Sequence, residues 1–563
     1  MAQPCRPGIV FLVLFVLSAN TAFGAPVKPE PLAVLSLDPV GETPGLAPAA
    51  DLLSVAIFQD ENTNPWLRIG LLSLASDPAT AQALGLREND FPSTIPLTVT
   101  INGGAATEIL LEKNRNGYLP RPSNSHREND GIWVPLDPSL LREQLNLTIT
   151  TTSDESIQAT YPVPAGRDYR ANCAFVLHGN QGLGYTNVFI GESDNLDGSG
   201  FDEALQVHDA TGVHGNFHVS GTLQTVAQWQ SNNGDPMDFN ALLSNGVTAG
   251  WAGILTSAYA QHIMPFVHDE MNDWAVHIET QMTDQRYGQF PAIAWVPERV
   301  WLNTSGYPSA GVNDWIGDNW ESHGVQGVIL DDAPHLAGHD NHQIHTLSGT
   351  GLRLIPRDRD FTGNIIGGNG QAALNILTDL AGSGVGEFRI AVMAEDWEAV
   401  AEVGGWAQDT PNAKETYDWF IDKCYQEFAW IFTWKLADAL AEPNFNGDTF
   451  TPFPGTYYEI GGANGYGGND NAWYTHWAGY VPYANGGLDG ECAGTGGNCK
   501  DYGTLWNDAY SDLMTAPDNS ISQAGWYVLM TNLYETGWHD GLGGDISGWE
   551  HQYSSHIKNT MIY

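Results

Sequence analysis

Basic residues are scarce in this chain. Its 563 residues include 22 Lys and Arg against 66 Asp and Glu, which gives a formal net charge of −44 at pH 7. A surface this acidic repels nucleic acids and anionic membranes, so it disfavours both as partners. It is compatible with an uncharged substrate.

Cysteine is also rare, with 5 residues, and no CxxC pair indicates structural zinc. Cys5 lies in the apolar N-terminal segment. Cys492 and Cys499 flank the Gly-rich loop ECAGTGGNCK, which predicts a short disulfide in an oxidising compartment. Cys173 and Cys424 have apolar neighbours, which is typical of buried thiols and also allows a second bridge.

Long apolar runs are missing beyond the N-terminus, where IVFLVLFVLSA is itself too short to span a bilayer. Arg6 precedes this run, and the small residues AFG precede Ala25. The pattern predicts a secretory signal peptide over residues 1–24 and a secreted or periplasmic protein, with a membrane anchor as the alternative.

Four regions follow the signal peptide. Residues 25–50 are rich in Pro, Ala and Gly and are predicted to be a linker. Short alternating runs such as LSVAIFQ and IPLTVTING predict an antiparallel β-sandwich over 51–166. Residues 167–410 contain buried strands, and 411–563 are predicted to be a helical C-terminal region that begins with the long amphipathic helix AKETYDWFIDKCYQEFAWIFTWKLADAL.

Seven continuous apolar runs over 167–410 predict parallel strands that are buried on both faces and spaced by helices. Seven strands indicate an α/β fold, an incomplete (β/α)7 barrel one unit short of the usual eight. Polar residues end these runs: His178, Ser220, Ser257, Glu298, Asp331, Arg357 and Asp396. Because active sites lie at the carboxyl ends of barrel strands, we expect these side chains at one mouth.

Glu298 ends the fourth run, AWVPE, and Asp396 ends the seventh, VMAED. Two carboxylates that face each other across a cleft carry out glycosidic chemistry, one as nucleophile or base and the other as proton donor. A buried ion pair between Glu298 and Arg357 is the structural alternative for the first carboxylate. Four tryptophans at or near strand ends are candidates for stacking on sugar faces, with core packing expected for at least two: Trp251, Trp295, Trp301 and Trp397.

The motif AWVPERVW resembles the tryptophan, x, proline, glutamate motif of glycoside hydrolase family 57, in which the glutamate is the nucleophile; here it is Glu298. MAEDWEAVAEVGGW is similar to the segment that supplies the family's general acid/base, here Asp396, followed by Glu398. The resemblance covers roughly residues 173–406. It implies a retaining enzyme that acts on α-linked glycans and needs no cofactor or metal.

Three further segments are similar to substrate-contacting parts of that family. FVLHGN places His178 at the end of the first strand, and GILTSAYAQHIMP carries His262. LIPRDRDFTGNI resembles an Arg-Asp-Arg segment, here Arg357, Asp358 and Arg359. Trp295, Trp301, Trp397 and Glu398 complete the predicted substrate-binding set.

Two positions leave alternatives open. The family's second motif has a glutamate where GWAG places Gly253. Glu395 precedes Asp396, and a strand register shifted by one residue would turn Glu395 into the mouth as proton donor. The prediction favours Asp396.

A histidine-rich loop, DDAPHLAGHDNHQIHTL, contains His335, His339, His342 and His345. Convergence of three or four of these side chains would form a metal site, whereas a polar loop that contacts substrate is the expected alternative.

The sequence therefore predicts a secreted retaining glycoside hydrolase or transglycosylase whose partner is a polysaccharide or oligosaccharide. A carbohydrate-binding or cell-surface protein on a decayed barrel is the first alternative. A polysaccharide deacetylase is the second, although it needs a metal held by Asp and two His, and HGNQG offers His178 with no aspartate beside it.

Overall fold

A computed structural model describes most of the chain between residues 30 and 455. The described ranges are 30–38, 51–60, 62–72, 93–114, 117–121, 125–128, 131–142, 144–151, 156–163, 169–180, 200–232, 238–259, 261–262, 264–266, 269–301, 316–403, 412–453 and 455. The predicted signal peptide, the Cys492–Cys499 bridge and the C-terminal region from residue 456 onward lie outside the described residues. Within these ranges, no helix has the length and hydropathy that a membrane crossing requires.

Two five-stranded antiparallel sheets form the N-terminal part, in the orders β1-β2-β3-β8-β7 and β10-β9-β4-β5-β6. Their strands are β1 (Glu30–Leu37), β2 (Leu52–Gln59), β3 (Pro65–Leu71), β4 (Thr94–Ile101), β5 (Thr107–Asn114), β6 (Gly117–Arg121), β7 (His126–Glu128), β8 (Gly131–Pro135), β9 (Leu145–Thr151) and β10 (Ser156–Tyr161). A short 3-10 helix covers Pro138–Arg142. The alternating pattern of β9, buried at every second residue, is what a strand with one core-facing side requires.

Apolar side chains from both sheets form one shared core, which includes Val55, Ile69, Leu97 and Ile149. The strand β1 lies within the segment that was predicted to be a linker, and it pairs with β2. That prediction is wrong for these residues, because Leu35 is drawn into the shared core.

The remaining strands form a ten-stranded sheet, in the order β18-β11-β12-β13-β14-β15-β17-β16-β20, with β19 paired to β11. They are β11 (Ala171–Gly179), β12 (Gly215–Val219), β13 (Ala252–Thr256), β14 (Ile293–Trp295), β15 (Gly327–Asp331), β16 (Ile344–Leu347), β17 (Arg353–Arg357), β18 (Ile390–Asp396), β19 (Ile431–Thr433) and β20 (Asn446–Phe450). The seven predicted strands are all present, and they run parallel from β18 to β17.

Helices connect these strands: α1 (Phe201–Thr211), α2 (Gly221–Asn232), α3 (Phe239–Ala249), α4 (Asp269–Tyr287), α5 (Gly317–Ser322), α6 (Arg359–Ile366), α7 (Gly370–Gly382), α8 (Trp397–Ala401), α9 (Ala413–Gln426) and α10 (Leu436–Ala439). Four 3-10 helices cover Met264–Phe266, Pro297–Arg299, Gly386–Phe388 and Pro443–Phe445. Successive residues along each strand face opposite sides of the sheet. The residues on the inner side, such as Val176, Ile329 and Val392, form an inner core. The residues on the outer side, such as Phe175 and Met393, pack under the helices.

The sheet is a curled, incomplete barrel, as predicted. The structure corrects the long helix expected after residue 412. α9 ends at Gln426, and Ile431–Thr433 continues as a strand beside β11. The run AWIFTW is rich in aromatic and β-branched residues, which suit a strand better than a helix interior.

A buried ion pair joins the N-terminal sheets to the barrel. Arg68 on β3 donates from Nη1 to Glu427 Oε2 at 3.0 Å, and both side chains are fully buried. Ser54 and Trp430 donate hydrogen bonds to the same oxygen, so the buried Glu427 carboxylate has protein donors in place of water.

Candidate active site

Glu298 lies in a tight turn at the carboxyl end of β14. The strand ends at Trp295, and the chain then enters the 3-10 helix Pro297–Arg299. The prediction placed Glu298 at the end of the strand itself, and the structure moves it three residues further. The turn is held by hydrogen bonds from Arg299 N to Val296 O and from Val300 N to Pro297 O.

Glu298 and Arg299 both adopt left-handed backbone conformations, each with φ of 48°. Such a conformation costs a non-glycine residue about 1–3 kcal/mol, and it persists only where the surroundings impose it. Two consecutive residues of this kind make the turn a candidate functional feature of the fold. The partly exposed Glu298 side chain is presented by this turn.

Asp396 is the last residue of β18, as predicted. Its register partner on the adjacent strand β11 is His178. Val392 and Ala394 face the same side of the sheet as Asp396, and they belong to the inner core. Ala174 and Val176, which face the same side as His178, belong to it as well. Asp396 and His178 therefore project from neighbouring strands on the inner side of the barrel, at its mouth.

Four effects raise the pKa of Asp396 well above its usual range: burial, and the negative charges of Glu395, Glu398 and Glu298. The positive charge of Arg299 opposes them and is outweighed. A raised pKa favours the protonated form of a carboxyl group, which is the form that a general acid needs. Glu298 and Asp396 thus stand at the carboxyl ends of two parallel strands of the same sheet, and the charge of Glu298 acts on Asp396.

Glu395 has a different environment. Arg357 donates from Nη2 to Glu395 Oε2 at 2.7 Å and from Nε to Ala394 O at 2.7 Å. The other oxygen of Glu395 accepts the backbone N–H of Asp396 at 3.0 Å. Glu395 is thus fixed in a charge-assisted pair, which favours Asp396 as the proton donor.

Asp331 lies between two arginines at the end of β15. Its Oδ2 accepts from Arg299 Nε at 2.7 Å, and its Oδ1 accepts from Arg357 Nη1 at 3.4 Å. Burial alone would raise the pKa of Asp331, but the two guanidinium groups outweigh burial and hold that pKa below its usual range. Arg299, Asp331, Arg357 and Glu395 therefore form a chain of alternating charges along the strand ends.

His178 is stacked between rings. Its imidazole lies 4.7 Å from that of His218 and 4.2 Å from the ring of Trp295, with interplanar angles of 13° and 9°. Burial, His218 and Arg299 together lower the pKa of His178 well below its usual range, so the ring is neutral at pH 7. His218 was not among the predicted site residues, although it also lies on a strand of the barrel, in the run GNFHV.

Several predicted substrate-binding residues have other roles. Trp397 is fully buried and stacks on Phe201 at 4.8 Å in the core beneath the helices. Trp251 is in the same core. For these two tryptophans, the alternative of core packing is the correct one.

Asp358 and His262 are also bound by protein groups. Asp358 caps α6 by accepting from Phe361 N, and its Oδ2 accepts from His342 Nε2 at 2.8 Å. His262 is fully buried and donates from Nε2 to Asn272 Oδ1 at 2.6 Å. Burial lowers the pKa of His262 to about 4, so it is uncharged at neutral pH. A role in substrate contact does not fit either position.

The remaining predicted residues lie nearer the carboxylates. The ring of Trp295 contacts His178 and lies 4.9 Å from the guanidinium carbon of Arg299. Trp301 is fully buried and exchanges backbone hydrogen bonds with Gly455. Glu398, in α8, acts on Asp396 through its charge. No contact in the structure assigns these three to a substrate, and their binding roles stay predictions.

The histidine-rich loop is held by hydrogen bonds within the protein. His339, His345 and Asp448 present three potential ligand atoms within 4.8 Å of one another. However, His345 already donates from Nε2 to Asp340 O and accepts at Nδ1 from Asp448 N. A metal ion would have to displace the second of these bonds, so the arrangement suits a structural contact between β16 and β20 better than a metal site.

Gly253, where the family motif has a glutamate, is near the amino end of β13. A Cβ there would lie 2.9 Å from Asn216 Oδ1 and 3.5 Å from side-chain carbons of Lys435. The departure is therefore at the opposite end of the strand from Ser257 and the mouth, and the two carboxylates are unaffected by it.

No family model matches the sequence, and no curated protein matches it significantly. Among solved structures, the chain is similar to a 4-alpha-glucanotransferase from Thermococcus litoralis, with 15% identity and a TM-score of 0.47 over 70% of this chain and 58% of that chain. It is similar to a GH57 branching enzyme from Thermococcus kodakaraensis, with 10% identity and a TM-score of 0.49 over 70% of this chain and 89% of that chain. It is also similar to an alpha-amylase from Thermotoga maritima, with 9% identity and a TM-score of 0.43 over 70% of this chain and 92% of that chain.

The branching enzyme is a member of glycoside hydrolase family 57 by its description. This chain spans 58% of the length of the glucanotransferase, and identities of 9–15% at these TM-scores assign neither a family nor an activity to it.

Proposed function

We propose that this protein is a secreted, retaining glycoside hydrolase or transglycosylase that acts on an α-linked polysaccharide. The observation that supports the proposal is the position of Glu298 and Asp396 at the carboxyl ends of parallel strands of one sheet, where the charge of Glu298 helps to raise the pKa of Asp396. Retaining glycosidases need this division of roles between an ionised carboxylate and a protonated one.

In the first step, a carboxylate oxygen of Glu298 attacks the anomeric carbon. The bond to the leaving oxygen breaks, and Asp396 gives that oxygen its proton. In the second step, Asp396 takes a proton from water or from an acceptor hydroxyl, whose oxygen attacks the same carbon and releases Glu298. The two inversions leave the anomeric configuration unchanged.

The surroundings support these roles. Arg357 holds the neighbouring Glu395 in an ion pair, so the Glu395 side chain is fixed by a protein partner. The neutral His178 beside Asp396 adds no positive charge that would lower the pKa of the proton donor. The strongly acidic composition suits an uncharged glycan.

The two alternatives have weaker support. A decayed, non-catalytic barrel has no reason to keep both carboxylates or the strained turn at Glu298. A deacetylase needs a metal held by Asp and two His. Among the described residues, the group with suitable ligand spacing is His339, His345 and Asp448, which includes no residue of the mouth.

The test is a screen of the purified protein against α-glucans and galactose-containing polymers, with proton NMR of the first product. We expect cleavage or transfer with retention of the anomeric configuration. Products of inverted configuration, acetate release that depends on a metal, or binding with no turnover on any polymer would each contradict the proposal. The panel also identifies the sugar and the linkage.

A further inference from the structure

The strained turn that carries Glu298 is connected to a remote glutamate, Glu279 on α4, by a series of buried contacts. His218 donates from Nε2 to Glu279 Oε1 at 2.7 Å, and both side chains have no exposed surface. The other oxygen of Glu279 accepts from Gly221 N at 3.2 Å. Glu279 therefore ties the start of α2 to the ring of His218.

The contacts continue from His218 across the barrel. His218 on β12 stacks on His178, and His178 stacks on Trp295, the last residue of β14. The guanidinium of Arg299 lies over Trp295, at 4.9 Å from the ring centroid. His218, His178, Trp295 and Arg299, here called the stacked series, are each less than a tenth exposed.

Both ends of the stacked series are anchored by buried carboxylates. Glu279 holds His218, and Asp331 holds Arg299 at 2.7 Å. Each of these carboxylates has a second protein partner, Gly221 N for Glu279 and Arg357 for Asp331. The rings between them have little freedom to tilt, because a tilt at one ring opens a gap at the next.

Arg299 follows Glu298 in the chain, and both residues have a left-handed backbone conformation. A turn strained at two consecutive positions keeps its shape only when neighbouring groups determine it from several sides. The stacked series provides one such constraint, from the side of Trp295 and Arg299. Hydrogen bonds within the turn and from Trp301 N to Gly455 O provide others.

We propose that Glu279 is a positioning residue, which acts through the stacked series to hold the turn of Glu298 in its reactive conformation. Glu279 itself faces His218 and Gly221 and does not touch the substrate. The inference rests on the proposed function where activity is concerned, whereas its effect on the turn is independent of any activity.

The discriminating variant is Glu279→Gln, which keeps the volume of the side chain. His218 Nε2 and Gly221 N donate to different oxygens of Glu279, and a glutamine has an NH2 donor in place of one of them, so one of the two donors loses its acceptor. One hydrogen bond is lost, or His218 changes tautomer. Glu279→Met, which removes both acceptors, is the stronger variant, and Glu279→Gln is expected to lie between it and the parent protein.

Glu427→Gln is the matched control. Glu427 is also a fully buried carboxylate in an ion pair, with Arg68, but it joins the barrel to the N-terminal sheets. The control shows what a buried, isosteric neutralisation does to the protein in general.

The first measurement is hydrogen–deuterium exchange of the peptide that contains Arg299, Val300 and Trp301, whose amides are hydrogen bonded. We expect exchange about tenfold faster or more in Glu279→Gln, through local opening of the turn, and no change at this peptide in Glu427→Gln. Equal exchange in the parent and both Glu279 variants would overturn the proposal. If Glu279→Met does not fold, Glu279→Gln alone decides.

The second measurement is kinetic, on the best substrate of the panel and per folded protein. We expect kcat of Glu279→Gln to fall by about 10- to 100-fold with KM unchanged, because the nucleophile is misplaced while substrate contacts remain. A purely structural role would lower thermal stability and leave kcat at the parent value, as in Glu427→Gln. If Glu298→Gln keeps full activity, the proposed function fails, whereas the exchange result still decides the role of Glu279.

Discussion

Arg357 donates to the Glu395 carboxylate at 2.7 Å, and this pair distinguishes two adjacent acidic residues. Glu395 has a guanidinium on one oxygen and the Asp396 backbone N–H on the other. Asp396 is buried, and the negative charges of Glu395, Glu398 and Glu298 act on it. Together these effects raise its pKa well above the usual range. Neighbours in sequence thus have different surroundings: Glu395 is held in an ion pair, whereas acidic side chains act on Asp396.

Replacement of Glu298 by glutamine separates catalysis from structure. Glutamine keeps the shape but forms no stable glycosyl-enzyme, so we expect kcat to fall by several orders of magnitude while the thermal midpoint stays near that of the parent. A variant that keeps the parent kcat would remove Glu298 from the mechanism. Glu387→Gln, also in a 3-10 helix, is the control and should leave both properties unchanged.

Neutralising Glu398 should move the basic limb of the pH profile. The negative charge of Glu398 helps to raise the pKa of Asp396. In Glu398→Gln that pKa falls, the proton donor is lost at lower pH, and the basic limb of kcat/KM shifts to lower pH. Glu402→Gln serves as control, because Glu402 is not among the groups that act on Asp396. An unmoved limb in Glu398→Gln would mean that another group gives the proton.

Asp331 should contribute stability that depends on pH. Its pKa is lower in the folded protein than in the unfolded chain, because Arg299 and Arg357 outweigh the effect of burial. This contribution is complete above a pH of about 4 and is lost as pH falls through the folded pKa.

Asp331→Asn leaves two buried guanidinium groups with less compensation, and we expect a loss of about 3–5 kcal/mol at pH 7 in urea titrations. The difference from the parent should narrow as the pH is lowered below about 4. A difference that is constant with pH would show that lost packing, rather than charge, is responsible.

The ion pair of Arg68 and Glu427 should couple the N-terminal sheets to the barrel. Arg68→Met leaves a buried carboxylate without its cation, and we expect a loss of about 3–5 kcal/mol in the free energy of unfolding. The double variant Arg68→Met, Glu427→Met should recover most of that loss, because two apolar side chains have no charge to compensate. A double variant that is no more stable than Arg68→Met would show that the pair contributes mainly through packing.

The strands of the barrel were predictable because their signal is local. Each is a continuous apolar run, and a polar residue at or just after its end marks the mouth. Asp396 and Asp331 lie at those ends as predicted. Glu298 does not, because Pro297 ends the strand pairing early and the chain turns back on itself, which a pattern of apolar residues does not reveal.

Contacts between distant segments were not predictable. Whether Trp397 faces the mouth or the helices depends on Phe201 and the core around it, which the sequence near Trp397 does not contain. The partnership of His218 and Glu279 links residues 61 positions apart. Its only sequence signal was a histidine within a buried strand, where a charged or polar side chain requires a partner.

The addition of β19 to β11 has a consequence for the order of events during synthesis. The first strand of the barrel must wait for β18 and β19, which emerge from the ribosome long after it, before its hydrogen bonds are complete. Such late closure makes folding slow and leaves an apolar strand edge exposed in the nascent chain. The edge of β11 is covered only after its last barrel partners have been translated.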